Sequence, residues 1–311
     1  MGLGARTQLS SELRAASERS AVDYLATRDS GLETPSRALL RTRWLGRVPY
    51  AEAWDLQRAF WEGRVTGRSS DDYLLLLEHP HTYTVGRNGD RSNMLVSDQR
   101  LEELAAELLF VDRGGDITYH GPGQLVGYPI LALADSKRVK RYVDRLQQVL
   151  IETLAALGVE ARAESAYPGV WTDRGKVAAI GVRVARGVTM HGFALNVSPD
   201  LSYFTHINPC GITDRRVTSI TEVLGRPVTI EEVVEELSRR FASTFERSGA
   251  DVQLGAFVRG QGRPRRFEVD RLVEEGTFDP SPSTGRGLLP GEPERPEWMK
   301  VRAHLGPEYS D

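Results

Sequence analysis

Two spacings of apolar residues alternate along this chain, one near 3.6 and one near 2, and between them they outline its elements. Over 50–64, Trp54, Leu56, Phe60 and Trp61 stand among charged residues at near-helical spacing, which predicts a helix. Residues 136–157 carry Val139, Tyr142, Leu146, Val149, Leu150, Thr153, Leu154 and Leu157 on one face, with Gly158 as a stop, and predict a long amphipathic helix. Ser219 with Glu222, and Thr229 with Glu232, have the spacing of capping boxes. The helix opened by Thr229 is expected to bury Ile230, Val233, Val234, Leu237, Phe241 and Phe245. A further helix is expected over 98–108.

Strands read at 73–78 and 82–85, with Pro80 marking a kink between them, and at 109–112 and 125–131. Three more, at 169–171, 176–184 and 188–197, are joined by TDRG and ARG turns into an antiparallel meander. Helices and strands alternate irregularly and the hairpins are antiparallel, which disfavours a doubly wound parallel sheet. The expectation is an α+β domain over 39–255, a mixed, largely antiparallel sheet flanked by helices. Residues 1–38, polar and rich in Ser and Arg, read as a flexible extension, and 256–311 as a Pro/Gly-rich linker and tail.

Composition narrows the function classes. At 311 residues, 40% hydrophobic and 27% charged, the chain is ordinary globular material. A net charge of -3 and a pI near 6.1 give no global reason to expect nucleic acid or a membrane surface. One cysteine excludes an intrachain disulfide framework and CxxC redox or zinc-ribbon readings, and points to a reducing compartment. No apolar run approaches the roughly 18–20 residues of a membrane span. The start lacks the apolar stretch of a signal peptide, and Arg6 stands where myristoylation wants Ser or Thr. A cytoplasmic protein is expected.

Two features carry candidate chemistry. The stretch RGGDITYHGPGQLVGY at 113–128 packs five glycines with Arg113, His120 and Gln124, a density that implies close backbone approach to a ligand or simply a long turn. It fits neither the P-loop nor the dinucleotide-binding glycine pattern. The lone Cys210 lies in HINPCGI, a turn context in which it is either a nucleophile or a small buried hydrophobe. A nucleophilic thiol needs a partner, and His206, His191, His120 and Lys176 are available. Lys176 shares a strand face with Ala178, Ile180, Val182 and Val184, where an ammonium loses hydration unless it snorkels from the strand's end to water. Lys137, Arg138, Lys140, Arg141 and Arg145 open the long helix, as a solvated face or as a dock for an acidic partner.

At these residues the chain resembles the lipoyl(octanoyl) transferases of lipoate biosynthesis. The resemblance rests on LLLLEHPHTYTVGR at 74–87, RGGDITYHGPGQLVGYPI at 113–130, GKVAAIGVRVARGVTMHGFALNVSPDLSYF at 175–204 and INPCGI at 207–212, in family order. It implies the biotin/lipoate-protein ligase catalytic fold and transfer of an octanoyl group, through an enzyme thioester and without a cofactor, from octanoyl-acyl carrier protein to a lysine. The implied acceptors are apo lipoyl domains of 2-oxoacid dehydrogenases and the glycine cleavage H protein. The family's cysteine and lysine match Cys210 and Lys176. Its acyl-site segments match Arg113, Gly114, Gly115, Asp116, Ile117, Thr118, Tyr119 and His120, then Ala179, Ile180 and Gly181, and Gly192, Phe193 and Ala194.

Residues 295–311 faintly resemble the segment that precedes the cluster cysteines of lipoyl synthases, which makes lipoyl synthase a candidate partner. Two other functions compete: an ATP-dependent lipoate-protein ligase, and a non-catalytic binder of lipoyl domains. The complete RGG-x-x-TYHGPGQ pattern and Cys210 weigh against the first, and retention of both Cys210 and Lys176 against the second.

Overall fold

The computed structural model describes residues 39–133, 139–164, 168–208, 216–247 and 250–253. The extension 1–38, the linker and tail from 256, Lys137, Arg138 and Cys210 lie outside these residues. In chain order the elements are β1 (Leu40–Arg47), α1 (Tyr50–Val65), β2 (Asp72–Glu78), β3 (Thr82–Val85), α2 (Asp98–Glu103), β4 (Glu107–Phe110), β5 (Ile117–His120) and β6 (Gln124–Ile130). They continue with α3 (Val139–Ala156), β7 (Arg162–Ala163), β8 (Val170–Thr172), β9 (Gly175–Ala185), β10 (Val188–Asn196), α4 (Ile220–Leu224), α5 (Ile230–Thr244) and β11 (Ala250–Gln253).

The leucine run of β2 explains the layering. Leu74 and Leu76 pack with α3 and α5, through Leu146, Leu150, Val234 and Leu237. Leu75 and Leu77 face the other way, into a cluster with Tyr50, Phe60 and Trp61 of α1. A central strand covered on both faces reads as an unbroken apolar run. The sheet around it has the order β11-β1-β2-β6-β10-β9-β8-β7. β1 is parallel to both β11 and β2, and from β2 onward every neighbour is antiparallel, so the sheet is mixed and largely antiparallel. The α+β expectation and the meander β8-β9-β10 stand.

A second sheet, β4-β3-β5, was not expected. Strands β2 and β3 are neighbours in sequence but enter different sheets, and His79-Pro80-His81 is where the chain crosses. The helix expected over 98–108 stops at Glu103. Ala105 adopts φ 48°, its amide donates to Glu102 O, and the Ala106 amide donates to Leu101 O. This is a Schellman turn built without the usual glycine. It releases Glu107 to pair with Thr82, so β4 begins two residues before the predicted strand at 109. Both capping hydroxyls are in place: Ser219 accepts from the Glu222 amide and Thr229 from the Glu232 amide. The six apolar residues expected to be buried from 230 to 245 are buried.

Candidate active site

A cavity of about 850 Å³ lies against β9, β10 and β6, between the first turns of α3 and the loop at 113–116. That is within the usual range for small-molecule sites. One end is built around Lys176. Its stem lies across Gly169, φ 134°, where a Cβ would collide with the Lys176 Cε. Its Nζ stands 5.4 Å from the centre of the Trp171 ring, a cation–π contact. The Lys176 amide donates to Arg216 O at 2.9 Å, and Lys176 O accepts from the Thr218 amide at 3.0 Å. Gly175 makes this crossing feasible, since a Cβ there would meet the Arg216 carbonyl. The main chain of Lys176 thus pins residues 216–218.

The other flank of 209–215 is pinned as well. The Asn208 amide donates to Asn93 O at 2.9 Å, the Leu95 amide donates to His206 O at 2.9 Å, and Met94 bridges Ile207. Phe204, Ile207, Arg216 and Val217 all border the cavity.

Along the cavity the Gly-rich loop crosses β9. The Gly114 amide donates to Val182 O at 3.0 Å. The Arg113 guanidinium is buried and donates from Nη2 to Thr84 O at 2.6 Å and to Thr84 Oγ1 at 2.8 Å, and from Nη1 to Gly114 O at 3.1 Å. Arg113 therefore shapes the loop's backbone from within. A hydrogen-bond chain ties the same segment to Lys176. His120 Nδ1 lies 2.8 Å from Gln124 Oε1, Gln124 Nε2 donates to Asn196 Oδ1 at 2.9 Å, and Asn196 Nδ2 donates to Thr218 O at 3.0 Å. Because Gln124 offers His120 its oxygen, Nδ1 carries the proton.

The end remote from Lys176 is polar. Burial presses the His79 imidazole down to about 4. Its Nδ1 lies 2.7 Å from Val48 O and its Nε2 2.7 Å from the Tyr128 hydroxyl, so Nδ1–H donates and Nε2 accepts. Burial, then His79 and Arg113, keep His120 neutral well below the usual histidine range. His191, at φ 55°, faces Asp112 Oδ1 through Nε2 at 2.6 Å, and burial lowers its titration despite that carboxylate. Burial opposes ionisation of Asp112, but His191 and Arg183 outweigh it and hold the carboxyl below its ordinary range. Burial raises the Tyr50 phenol to about 12. The imidazoles and the Tyr50 phenol are held neutral, and the one charged group among them, the Asp112 carboxylate, is paired with His191 and Arg183.

The wall takes in Lys176, residues 113–118, His120, and the runs 179–181 and 192–194. Tyr119 stands apart: it is fully buried on the other face of β5, against Tyr83 and Tyr203, with its hydroxyl 2.7 Å from His81 Nδ1. Cys210 lies outside the described residues. Of the candidate partners, His206 turns to the Tyr83 hydroxyl at 2.9 Å, and His120 and His191 are engaged as above. Sequence reading missed Tyr50, Tyr128, Trp171 and Asn196, all on the wall. Their positions fall in ordinary core patterns, and nothing local separates a core tyrosine from one that faces a cavity. Among the described residues, no group of three or more His, Cys, Asp or Glu could hold a metal ion.

Comparison with known proteins agrees with this architecture. The lipoyl protein ligase A/B catalytic domain profile matches residues 49–242. The chain is 51% identical over 205 residues to an octanoyltransferase of Solibacter usitatus, covering 66% of this chain and 92% of that protein. It is 46% identical over 208 residues to an octanoyltransferase of Caldicellulosiruptor bescii, covering 66% of this chain and 91% of the relative. Among solved structures, lipoate-protein ligase A bound with ATP superimposes with a TM-score of 0.57 at 16% identity, over 78% of this chain and 97% of that one. A putative lipoate protein ligase from T. acidophilum gives 0.54 at 16% identity, over 77% and 95%. At such identities the structural likeness speaks for the fold.

Proposed function

Because the chain belongs to the lipoyl protein ligase A/B catalytic domain family and is an acyltransferase akin to its octanoyltransferases, we propose that it moves octanoyl from acyl carrier protein to lipoyl-domain lysines through a thioester on Cys210. The observation that carries this reading is the pair of anchors around 209–215. Ile207 on one side and Arg216 on the other border the cavity, Asn208 is held by the Asn93 carbonyl, and Arg216 is held by Lys176 itself. The chain from Asn208 to Cys210 is two peptide units, a reach of at most about 7 Å. A thiol carried between these anchors, with the Lys176 ammonium on the wall of an acyl-sized cavity, would supply a nucleophile and a proton carrier.

In the first half-reaction the Cys210 thiolate, favoured by the Lys176 ammonium, attacks the carrier's thioester carbonyl. The bond from the acyl carbon to the pantetheine sulfur breaks as the bond to Cys210 forms, and Lys176 gives its proton to the departing thiolate. In the second, the neutral amine of the acceptor lysine attacks the octanoyl-Cys210 carbonyl. Cys210 leaves as thiolate, and Lys176 takes the proton from nitrogen. A thioester is already activated, so the cycle consumes no ATP. The walls given by Ala178, Ile180, Val182 and Phe193 suit a hydrocarbon chain, each buried CH₂ stabilising by about 0.8 kcal/mol. The acceptors are apo lipoyl domains, such as those of 2-oxoacid dehydrogenases and the glycine cleavage H protein, and the wall formed by the backbone of Arg113 to Thr118 and by His120 lines the acyl site.

The test is intact-mass analysis after mixing the enzyme with octanoyl-acyl carrier protein in the absence of ATP. The wild type should gain one octanoyl group and pass it to an apo lipoyl domain; Cys210→Ser should gain none. Lys176→Met should slow both steps by about 100-fold or more. Transfer that appears only with ATP and free octanoate would replace this mechanism with that of a ligase.

A further inference from the structure

Asp116 belongs to the Gly-rich segment and borders the cavity, yet its carboxylate is turned toward the protein. Oδ1 accepts from the Ile117 amide at 2.6 Å, and both oxygens accept from Asn93 Nδ2, at 2.9 and 2.8 Å. Asn93 is half-buried and ends a 3-10 turn, Arg91–Asn93, capped by the Asp90 side chain. Its carbonyl receives the Asn208 amide, two residues before Cys210, and its neighbour Met94 bridges Ile207. The loop that carries Asn93 is also laced to the Gly-rich loop. Gly86 N donates to Asp116 O, Arg87 N to Arg113 O and Asn88 N to Gly115 O, at 3.0–3.3 Å. Gly89 completes the fit, since a Cβ there would lie 2.5 Å from Asp116 Oδ1.

We infer that Asp116 is a positioning residue. Through Asn93 it fixes the main chain immediately upstream of Cys210, coupling the acyl-binding loop to the placement of the nucleophile, and it does not itself hold the acyl group. The inference rests on Cys210 being the acylated residue. Misplacing a reacting atom by about 1 Å can cost up to about 100-fold in rate. Loosening the Asn93 carbonyl should therefore depress the rate of acylation and leave the affinity for the octanoyl donor nearly unchanged.

The experiment compares Asp116→Ala, Asn93→Ala and the exchange Asp116→Asn/Asn93→Asp with the full-length wild type. It measures single-turnover octanoylation of Cys210 from octanoyl-acyl carrier protein, resolved into a maximal rate and a half-saturating concentration. Asp116→Ala and Asn93→Ala should each lower the maximal rate by at least ~10-fold with little change in half-saturation. The exchange should recover most of that loss, because Asn at 116 still accepts from Ile117 N through its oxygen while its amide donates to Asp at 93. Raised half-saturation in Asp116→Ala with a normal Asn93→Ala would make Asp116 a substrate contact and overturn the inference. Unrescued loss in both, with soluble folded protein by thermal melt, would overturn it too. If the wild type forms no adduct, it is the Cys210 mechanism that fails, and the relay has nothing to position.

Discussion

At the scale of single residues, His79 shows what burial does to a titratable group. Its folded value is about 4 against 6.5 for the free side chain, so between these two pH values the unfolded chain binds more protons than the folded one. The contribution of His79 to stability is therefore at its full level above pH 6.5, falls as pH drops through that window, and levels off below about 4. Two and a half pH units correspond to a loss on the order of 3 kcal/mol. His120 and His191 are lowered as well and add to the decline with the same sign. His79→Gln retains a donor for Val48 O and an acceptor for the Tyr128 hydroxyl but cannot titrate. Urea unfolding at intervals from pH 7 to pH 4 should give a flatter decline for His79→Gln than for the wild type. Equal slopes would mean that the imidazole is not kept neutral by the fold.

The same scale shows which residues the sequence discloses. Lys176 is legible because an ammonium interrupts an alternation of small and branched apolar side chains, and period-2 patterns make such interruptions conspicuous. Gly169 and Gly175 carry no comparable mark. Each is there to let another segment pass, the Lys176 stem over one and the Arg216 carbonyl over the other. Those crossings exist only once residues far apart in sequence have met. Asp116 illustrates a third situation: its motif draws notice, while the direction of its carboxylate, toward Asn93 and away from the acyl group, is a tertiary fact.

At the scale of elements, local signals were sufficient wherever the element makes its own stabilising contacts. α5 has its cap, its stripe and its end in one stretch of sequence, and α1 is the predicted helix to within one residue at its end. Elements that depend on a distant partner were not so readable. β5 is embedded in what reads as a long turn and becomes a strand by pairing with β3. The shortening of α2 turns on Ala105, a residue that favours helix and here terminates one. Left-handed backbone costs an alanine about 1–2 kcal/mol, against a glycine entropy cost of about 0.5–1 kcal/mol. Ala105→Gly should therefore stabilise the protein by about 0.5–1 kcal/mol, seen as a higher denaturant midpoint at unchanged slope. A lower midpoint would show that the Ala105 methyl contributes packing that outweighs its strain.

At the scale of the whole molecule, we propose that 39–255 is the catalytic unit and that 1–38 and 256–311 serve other ends, the latter as a linker and as a lipoyl-synthase-like tail. A chain cut to 39–255 is expected to melt cooperatively and to become octanoylated on Cys210 at a rate within about threefold of the full-length protein. A loss beyond tenfold in a folded truncation would assign part of the site to the flanks. The profile match to 49–242 covers most of this unit, and the sheet extends it at both ends.

At one edge of that sheet its last strand in sequence pairs with its first. β11, at Ala250–Gln253, lies alongside β1, at Leu40–Arg47, with Leu40 opposite Ala250. During synthesis β1 emerges early and acquires its neighbour β2 soon after, but its other edge finds its partner only when residue 253 has left the ribosome. At about 5–20 residues per second that interval is roughly 10–40 s. Throughout it, a strand edge with unsatisfied amides and carbonyls is open to any other nascent chain. The order in which the ribosome delivers this sequence therefore favours cover of that β1 edge while translation proceeds.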